Sequence, residues 1–270
     1  MDRKFLYEML STASVSGTEV ELEKKIYQYM KAYADEVRGD EIGDVTAVLN
    51  ANSPVKVLLT GHADEIGLMV TAIRGDGMLS VCKIGGIYPS TYPGHKVRVL
   101  TKQGVLYGAV VITRSLMKKS DMDASDLIID IGAFSKEEAE KAVSVGDRVI
   151  FDTDYREMLN ECITGRALDD RLGAFIVMEA LKQAKKDGCH VGVYGAATSM
   201  NGAYFVSQRV KPTMAIAVDV TYVSDYAGTD PADTGDVRLG KGPVLCVNPT
   251  HHPEMNKRLK EAADHCGISI

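Results

Sequence analysis

His62 and Asp64 stand two residues apart in Leu59-Thr60-Gly61-His62-Ala63-Asp64-Glu65-Ile66-Gly67, directly after the apolar run over residues 55–60. An imidazole nitrogen is a good ligand for zinc or cobalt. A carboxylate beside it can accept the other ring N–H, which fixes the tautomer and raises the basicity of the nitrogen left for the cation. The place is suitable too, because open α/β sheets build their sites beyond the carboxyl ends of their strands. Adjacent aspartates follow in Gly165-Arg166-Ala167-Leu168-Asp169-Asp170-Arg171-Leu172-Gly173, and Asp219 closes an apolar run that starts at Met214. One of the paired aspartates could bridge two cations. A charge at the end of a buried strand needs a partner or a metal, because burying it alone is costly.

Each signal has a plainer explanation when taken singly. A histidine at a strand end can make an ordinary hydrogen bond. Asp169 and Asp170 can cap a helix and meet its dipole, with Arg171 as an ion-pair partner.

The elements that must position these residues are legible from periodicity. Thr18-Glu19-Val20-Glu21 has the pattern of a capping box, and Leu22, Ile26, Tyr29, Met30 and Tyr33 continue it as an amphipathic stripe. Residues 55–60, bounded by Ser53-Pro54 and Gly61, read as a buried strand. Residues 170–185 read as a helix, 191–194 as a strand, 203–209 as a helix and 214–220 as a strand. This alternation implies an α/β sandwich with a mainly parallel central sheet.

The rhythm changes over residues 75–152, where short β-branched runs at 97–100, 105–108, 110–112, 127–129 and 148–150 are punctuated by glycines, with one helix-like insert at 135–143. A small β-rich, barrel-like domain is therefore expected at 75–152, inserted into an α/β domain made of 1–74 and 153–270. Lys118-Lys119 and the charges at 136–141 read as solvated faces.

Composition narrows the function further. The chain has 270 residues, 45% of them apolar, which is enough for a sizeable core. Its net charge of −6 leaves no basic face for a phosphate backbone, so nucleic acid is not an expected partner. No apolar run is long enough to span a bilayer, and the first residues lack the pattern of a secretory signal, so no membrane is expected and the expected compartment is the cytoplasm. Five scattered cysteines without a Cys-x-x-Cys pair suggest reduced thiols.

Taken in order, the motifs resemble the glutamyl aminopeptidase family, dinuclear metallo-aminopeptidases of the tetrahedral type. The stretches that carry the likeness are Val15-Ser16-Gly17-Thr18-Glu19, Gly61-His62-Ala63-Asp64-Glu65-Ile66-Gly67, Ile84-Gly85-Gly86, Ile129-Asp130-Ile131-Gly132-Ala133, Ala167-Leu168-Asp169-Asp170-Arg171, Ala217-Val218-Asp219 and Leu239-Gly240-Lys241-Gly242-Pro243. By this resemblance the outer domain is a peptidase and the inserted one a dimerisation and gating module. His62, Asp169 and Asp219 match the ligands of one metal site, with Asp169 as the bridge to a second metal, and Asp64 matches the residue that orients the histidine. The resemblance also implies peptides as substrate or ligand, a divalent metal such as zinc or cobalt, and a homo-oligomer ranging from a dimer up to a dodecamer.

The chain departs from that pattern where the chemistry is most demanding. The family motif places a general-base glutamate and a second-metal glutamate just past a strand. The matching stretch here, Val193-Tyr194-Gly195-Ala196-Ala197-Thr198-Ser199-Met200-Asn201-Gly202-Ala203, has alanine at both positions. A methyl group neither accepts a proton nor binds a cation, so at most one metal per chain is expected, with no general base. The resemblance implies a further histidine ligand in a segment after the helix at 254–265, and the sequence reaches Ile270 without it. His251 and His252 come too early in the order to replace it, and residues 114–121 lack the Pro-Pro-His of relatives.

The expectation is a member of the aminopeptidase family with lost or greatly reduced activity. The alternatives are a working aminopeptidase with a non-standard base and a non-catalytic peptide-binding or assembly subunit. A carbohydrase has little support, because there is no tryptophan and no evident carboxylate pair at glycosidase spacing.

Overall fold

The computed structural model describes residues 2–270. The chain divides into two compact units, Met1–Asp219 and Val220–Ile270. In the first, α1 (Arg3–Ser11) and α2 (Val20–Met30) lead into β1 (Glu36–Gly39), β2 (Val45–Leu49) and β3 (Lys56–His62). The strands β4 (Gly67–Ile73), β5 (Leu79–Ile84), β6 (Lys96–Thr101), β7 (Gly104–Val110), β8 (Ile128–Asp130) and β9 (Arg148–Phe151) then close into a barrel, with the short helix α3 (Lys136–Ala139) between the last two. After a two-residue ladder of β10 (Arg156–Glu157) and β11 (Ile163–Thr164), the chain returns through α4 (Leu168–Lys186), β12 (Gly192–Thr198), α5 (Gly202–Val210) and β13 (Met214–Ala217).

The open sheet has the order β1-β2-β12-β3-β13. Its site-bearing strands β12, β3 and β13 are mutually parallel, whereas β1 and β2 join antiparallel. The register sets Thr198 beside His62 and Ala197 beside Gly61, so the carboxyl ends of β12 and β3 lie level. Continuous apolar runs are what a sheet covered on both faces requires. On one face Met9, Leu22, Ile26 and Met30 of α1 and α2 pack with Phe175, Val177, Met178 and Leu181 of α4. On the other, Leu58, Tyr194 and Ala196 pack with Val206 and Val210 of α5. The barrel has its own core, which includes Leu68, Val81, Val97, Val99, Ile129 and Val149.

Several boundaries differ from those expected. The capping box before α2 does not form: the Thr18 hydroxyl donates to the Val15 carbonyl at 2.6 Å, and Glu21 accepts from Lys24 at 2.7 Å. The helix starts at Val20 with Glu19 at its N-cap, so Thr18 and Glu21 stand one position off the places a capping box needs. The strand expected over 191–194 runs on to Thr198. Gly195 lets it pass close to the helix above, since a Cβ there would stand 3.3 Å from Leu181 and Val177. The strand expected to reach 220 leaves the ladder after the Val218 N–H bonds the Thr60 carbonyl at 2.8 Å. The first barrel strand begins at Gly67, ahead of the change in rhythm at Gly75.

The second unit contains α6 (Pro231–Thr234) and α7 (Pro253–Cys266). Ser224 and Val237 are tied by a backbone bond of 2.7 Å, and α7 ends on Gly267 in the left-handed conformation. Among the described residues, no helix is long and apolar enough to cross a membrane.

Candidate metal centre

His62 is the last residue of β3, and both of its ring nitrogens face carboxylates. Nδ1 lies 3.1 Å from Asp64 Oδ1, and Nε2 lies 3.0 Å from Asp169 Oδ1. Asp219, two residues past β13, completes the group: one donor atom from each of His62, Asp169 and Asp219 lies within 4.8 Å of the others. This is the only such group of three or more His, Cys, Asp or Glu donors among the described residues. The chemistry of the donors suits a divalent ion, because an imidazole nitrogen and two carboxylate oxygens converge on one small volume.

The start of α4 explains why two adjacent aspartates are needed. Asp169 and Asp170 have non-helical backbone angles and are joined by a cis peptide. Asp170 turns inward and is fully buried. Its Oδ1 accepts the Gly173 N–H at 2.9 Å, and its Oδ2 accepts the His62 N–H at 3.1 Å. It therefore caps the helix and ties it to β3 at the same time. Asp169 points outward, with its side chain 70% exposed, and is available as a ligand. Arg171 is wholly buried beneath the site. It donates to Met9 O at 2.7 Å, Ser14 Oγ at 2.6 Å and Glu65 Oε1 at 2.6 Å, and Glu65 is also held by Arg166 at 2.6 Å. The ion-pair partner of Arg171 is thus Glu65, from the histidine motif, and Asp169 is left to the site.

The protonation states follow from these contacts. The hydrogen bond to Asp64 raises His62 to about 9 against the opposing effect of burial, so without a cation the ring is an imidazolium held between carboxylates. Burial, with the charge of Asp219 added, pushes Asp170 up to about 7. Burial also works to raise Asp64, but hydrogen bonds from His62 and Ser16 outweigh it and leave the carboxyl below its ordinary range.

Ala196 and Ala197 are both buried in the interior of β12. Successive side chains of a strand leave opposite faces of its sheet. Accordingly Ala196 joins the cluster with Val206 and Val210, and Ala197 joins the cluster with Phe175 and Val177. From Gly195 to Asn201 the stretch carries no carboxylate. The turn after it is held by Asp44, which accepts from the Ser199 N–H at 2.9 Å and from its hydroxyl at 3.2 Å. His251 bonds Cys246 O at 2.8 Å within the second unit. In the barrel, Lys119 pairs with Asp126 at 2.7 Å. Two contributors near the site had no assigned role in the sequence motifs: Ser16, whose hydroxyl donates to Asp64, and Glu65. Both lie inside motif stretches, which is the signal that points to them.

The class is a mixed α/β sheet with donors at the carboxyl ends of its parallel strands and a closed barrel spliced between β3 and α4. The family follows from comparison: the M42 glutamyl aminopeptidase model matches residues 43–270, and the chain belongs to that family. A lysyl aminopeptidase of Pyrococcus furiosus is 30% identical over 283 residues, covering 100% of this chain and 80% of the relative. The crystal structure of a TET aminopeptidase from a marine-sediment Thaumarchaeota archaeon superposes with a TM-score of 0.90 at 31% identity, covering 98% of this chain and 79% of the other. The TET1 peptidase of Pyrococcus horikoshii, described as able to assemble into a tetrahedron or a large octahedral shell, gives 0.85 at 30% identity, covering 98% and 82%.

Proposed function

We propose that this chain is an M42 relative whose peptidase activity is lost or greatly reduced, and that it holds one divalent cation, zinc or cobalt, between His62, Asp169 and Asp219. The observation that carries the reading is the pair Ala196 and Ala197, buried methyl groups where the family resemblance expects a general base and a second-metal ligand. A divalent cation at the three donors supplies Lewis acidity toward a carbonyl or a water. This chain's own residues contribute orientation: Asp64 holds the His62 ring from its Nδ1 side, so that Nε2 and the Asp169 carboxylate would both be turned to the cation. They contribute no proton acceptor from β12, and general acid–base catalysis typically supplies about 10²–10⁴ in rate.

The retained role is peptide binding or assembly. Homo-oligomerisation, from a dimer up to a dodecamer, is supported by the assembly described for the Pyrococcus horikoshii relative. In this reading residues 1–74 and 153–270 form the peptidase-like domain, and residues 75–152 the dimerisation and gating module.

The test is hydrolysis of a panel of amino-acid p-nitroanilides by purified protein loaded with zinc or cobalt, beside His62→Ala. Equal, background rates are expected. The complete donor group favours a second reading, a working aminopeptidase with a non-standard base, and turnover clearly above the His62→Ala control establishes it instead. Calorimetric titration should find one tight cation per chain; two would overturn the single-site reading.

A further inference from the structure

We propose that Ser16 is a positioning residue for His62, acting through Asp64 to aim the imidazole at the cation. The proposal rests on the metal-site reading above and extends it to a residue that touches neither the cation nor the histidine.

The geometry begins with the backbone. Residues 14–16 run alongside 63–65: Val15 forms a parallel bridge with Glu65, the Ser16 N–H donates to Glu65 O at 3.2 Å, and the Glu65 N–H donates to Ser14 O at 2.9 Å. The Ser14 hydroxyl donates to Ala63 O at 2.8 Å, and the Ser14 N–H to Glu65 Oε1 at 2.9 Å. The segment is thus pinned at both ends of a three-residue span, and the side chain of Ser16 is delivered to Asp64 by the backbone, with little rotamer freedom to lose.

The hydroxyl donates its single proton to Asp64 Oδ2. The His62 Nδ1–H faces Asp64 Oδ1 at 3.1 Å and the Asp64 backbone carbonyl at 3.2 Å, so Asp64 holds the ring through side chain and backbone together. Each carboxylate oxygen then has one partner, and the carboxyl plane cannot rotate without breaking a bond. With its proton committed to Nδ1, the ring presents its Nε2 lone pair toward Asp169 and Asp219, which is the tautomer a cation requires. Asp64 is 6% exposed, so in the intact protein the hydroxyl supplies a bond that bulk solvent does not make to the carboxylate.

The test is calorimetric titration of Co²⁺ into the full-length wild type, Ser16→Ala, Ser16→Cys and Asp64→Ala proteins and the Ser16→Ala/Asp64→Ala double variant. Removing a partner of this kind typically weakens metal affinity by about 10–100-fold. The expected result is a loss of about 10-fold for Ser16→Ala and for Ser16→Cys, which keeps the volume but not the strong donor. In the Asp64→Ala background Ser16→Ala should cause no further loss, whereas a merely structural role gives additive losses. Unchanged cobalt affinity in both single serine variants, or additivity in the double variant, overturns the proposal while leaving the metal site standing. A wild type that binds no cobalt overturns the metal-site reading and this proposal with it.

Discussion

Nε2 of His62 lies 3.0 Å from Oδ1 of Asp169, so the last residue of β3 meets the first turn of α4 through the two side chains best suited to share a cation. The contact is sequence-distant and depends on how closely strand and helix approach.

His62→Ala tests the site directly. The substitution removes the only imidazole of the donor group and leaves two carboxylates, which repel each other without a cation between them. Because outer partners of a metal ligand already account for about 10–100-fold in affinity, loss of the ligand itself should weaken cobalt binding by at least ~100-fold in a calorimetric titration. Removing the imidazolium also takes the cationic partner from the buried Asp64 carboxylate, so the melting temperature of the metal-free protein should fall as well.

Gly61→Ala tests the approach of strand and helix. A Cβ at residue 61 would stand 2.5 Å from the Ala174 amide nitrogen and 2.6 Å from the Gly173 carbonyl carbon, both backbone atoms that cannot swing aside. β3 and α4 would have to part, and overpacking of this kind costs roughly 1–3 kcal/mol. The denaturant midpoint should fall accordingly, and cobalt affinity with it, because Asp169 rides on α4.

Glu65→Ala should be among the most destabilising changes near the site. Arg171 is wholly buried, Arg166 nearly so, and Glu65 is the carboxylate between them. Removing one partner of a buried ion pair strands the other charge at a cost of about 3–5 kcal/mol. Chemical unfolding that finds less than about 1 kcal/mol contradicts this account of the network.

The donors were legible in the sequence because each closes or opens an element with a clear apolar pattern: His62 after the run at 55–60, Asp169 before the stripe of α4, Asp219 after the run from Met214. The alternation of elements likewise exposed the α/β plan. Other features depended on contacts that spacing does not encode. Thr18 and Glu21 spell a capping box, yet α2 begins one residue later, with Glu19 at its N-cap, and both side chains find other partners. The length of β12 was hidden because Gly195, Ala196 and Ala197 have weak strand propensity and are held there by neighbours on both sides. The roles of Ser16 and Glu65 required the pairing of residues 14–16 with 63–65, a contact between distant segments.

Ala196→Glu addresses whether restoring an acid at that position is tolerated. Ala196 is fully buried, and its side chain lies with Tyr194, Val206 and Val210 on the α5 face. A carboxylate placed there without a hydrogen-bond partner should lower stability by about 3 kcal/mol near neutral pH, with less loss at acid pH where it is protonated. A variant as stable as the wild type at neutral pH would indicate a polar partner or a bound cation beside the strand.

Stability should also depend on pH through Glu23, away from the metal site. Burial, with the charges of Glu19, Asp40 and Asp44 added, raises its carboxyl from 4.5 to about 7, and its Oε1 is buried without a hydrogen-bond partner. The sign follows from linkage. Below pH 4.5 the carboxyl is protonated in both the folded and unfolded chain, and its contribution is fully present. Between 4.5 and about 7 the unfolded chain releases the proton while the folded chain keeps it, so stability falls as pH rises through this window and levels off above it. Glu23→Gln keeps the shape and removes the charge, so its stability advantage over the wild type should grow from pH 4.5 to 8. Solvent screening of the half-buried side chain limits the expected growth to about 1–2 kcal/mol. Urea unfolding of both proteins across that range measures the difference, and a pH-independent gap would mean that Glu23 is ionised in the folded chain throughout.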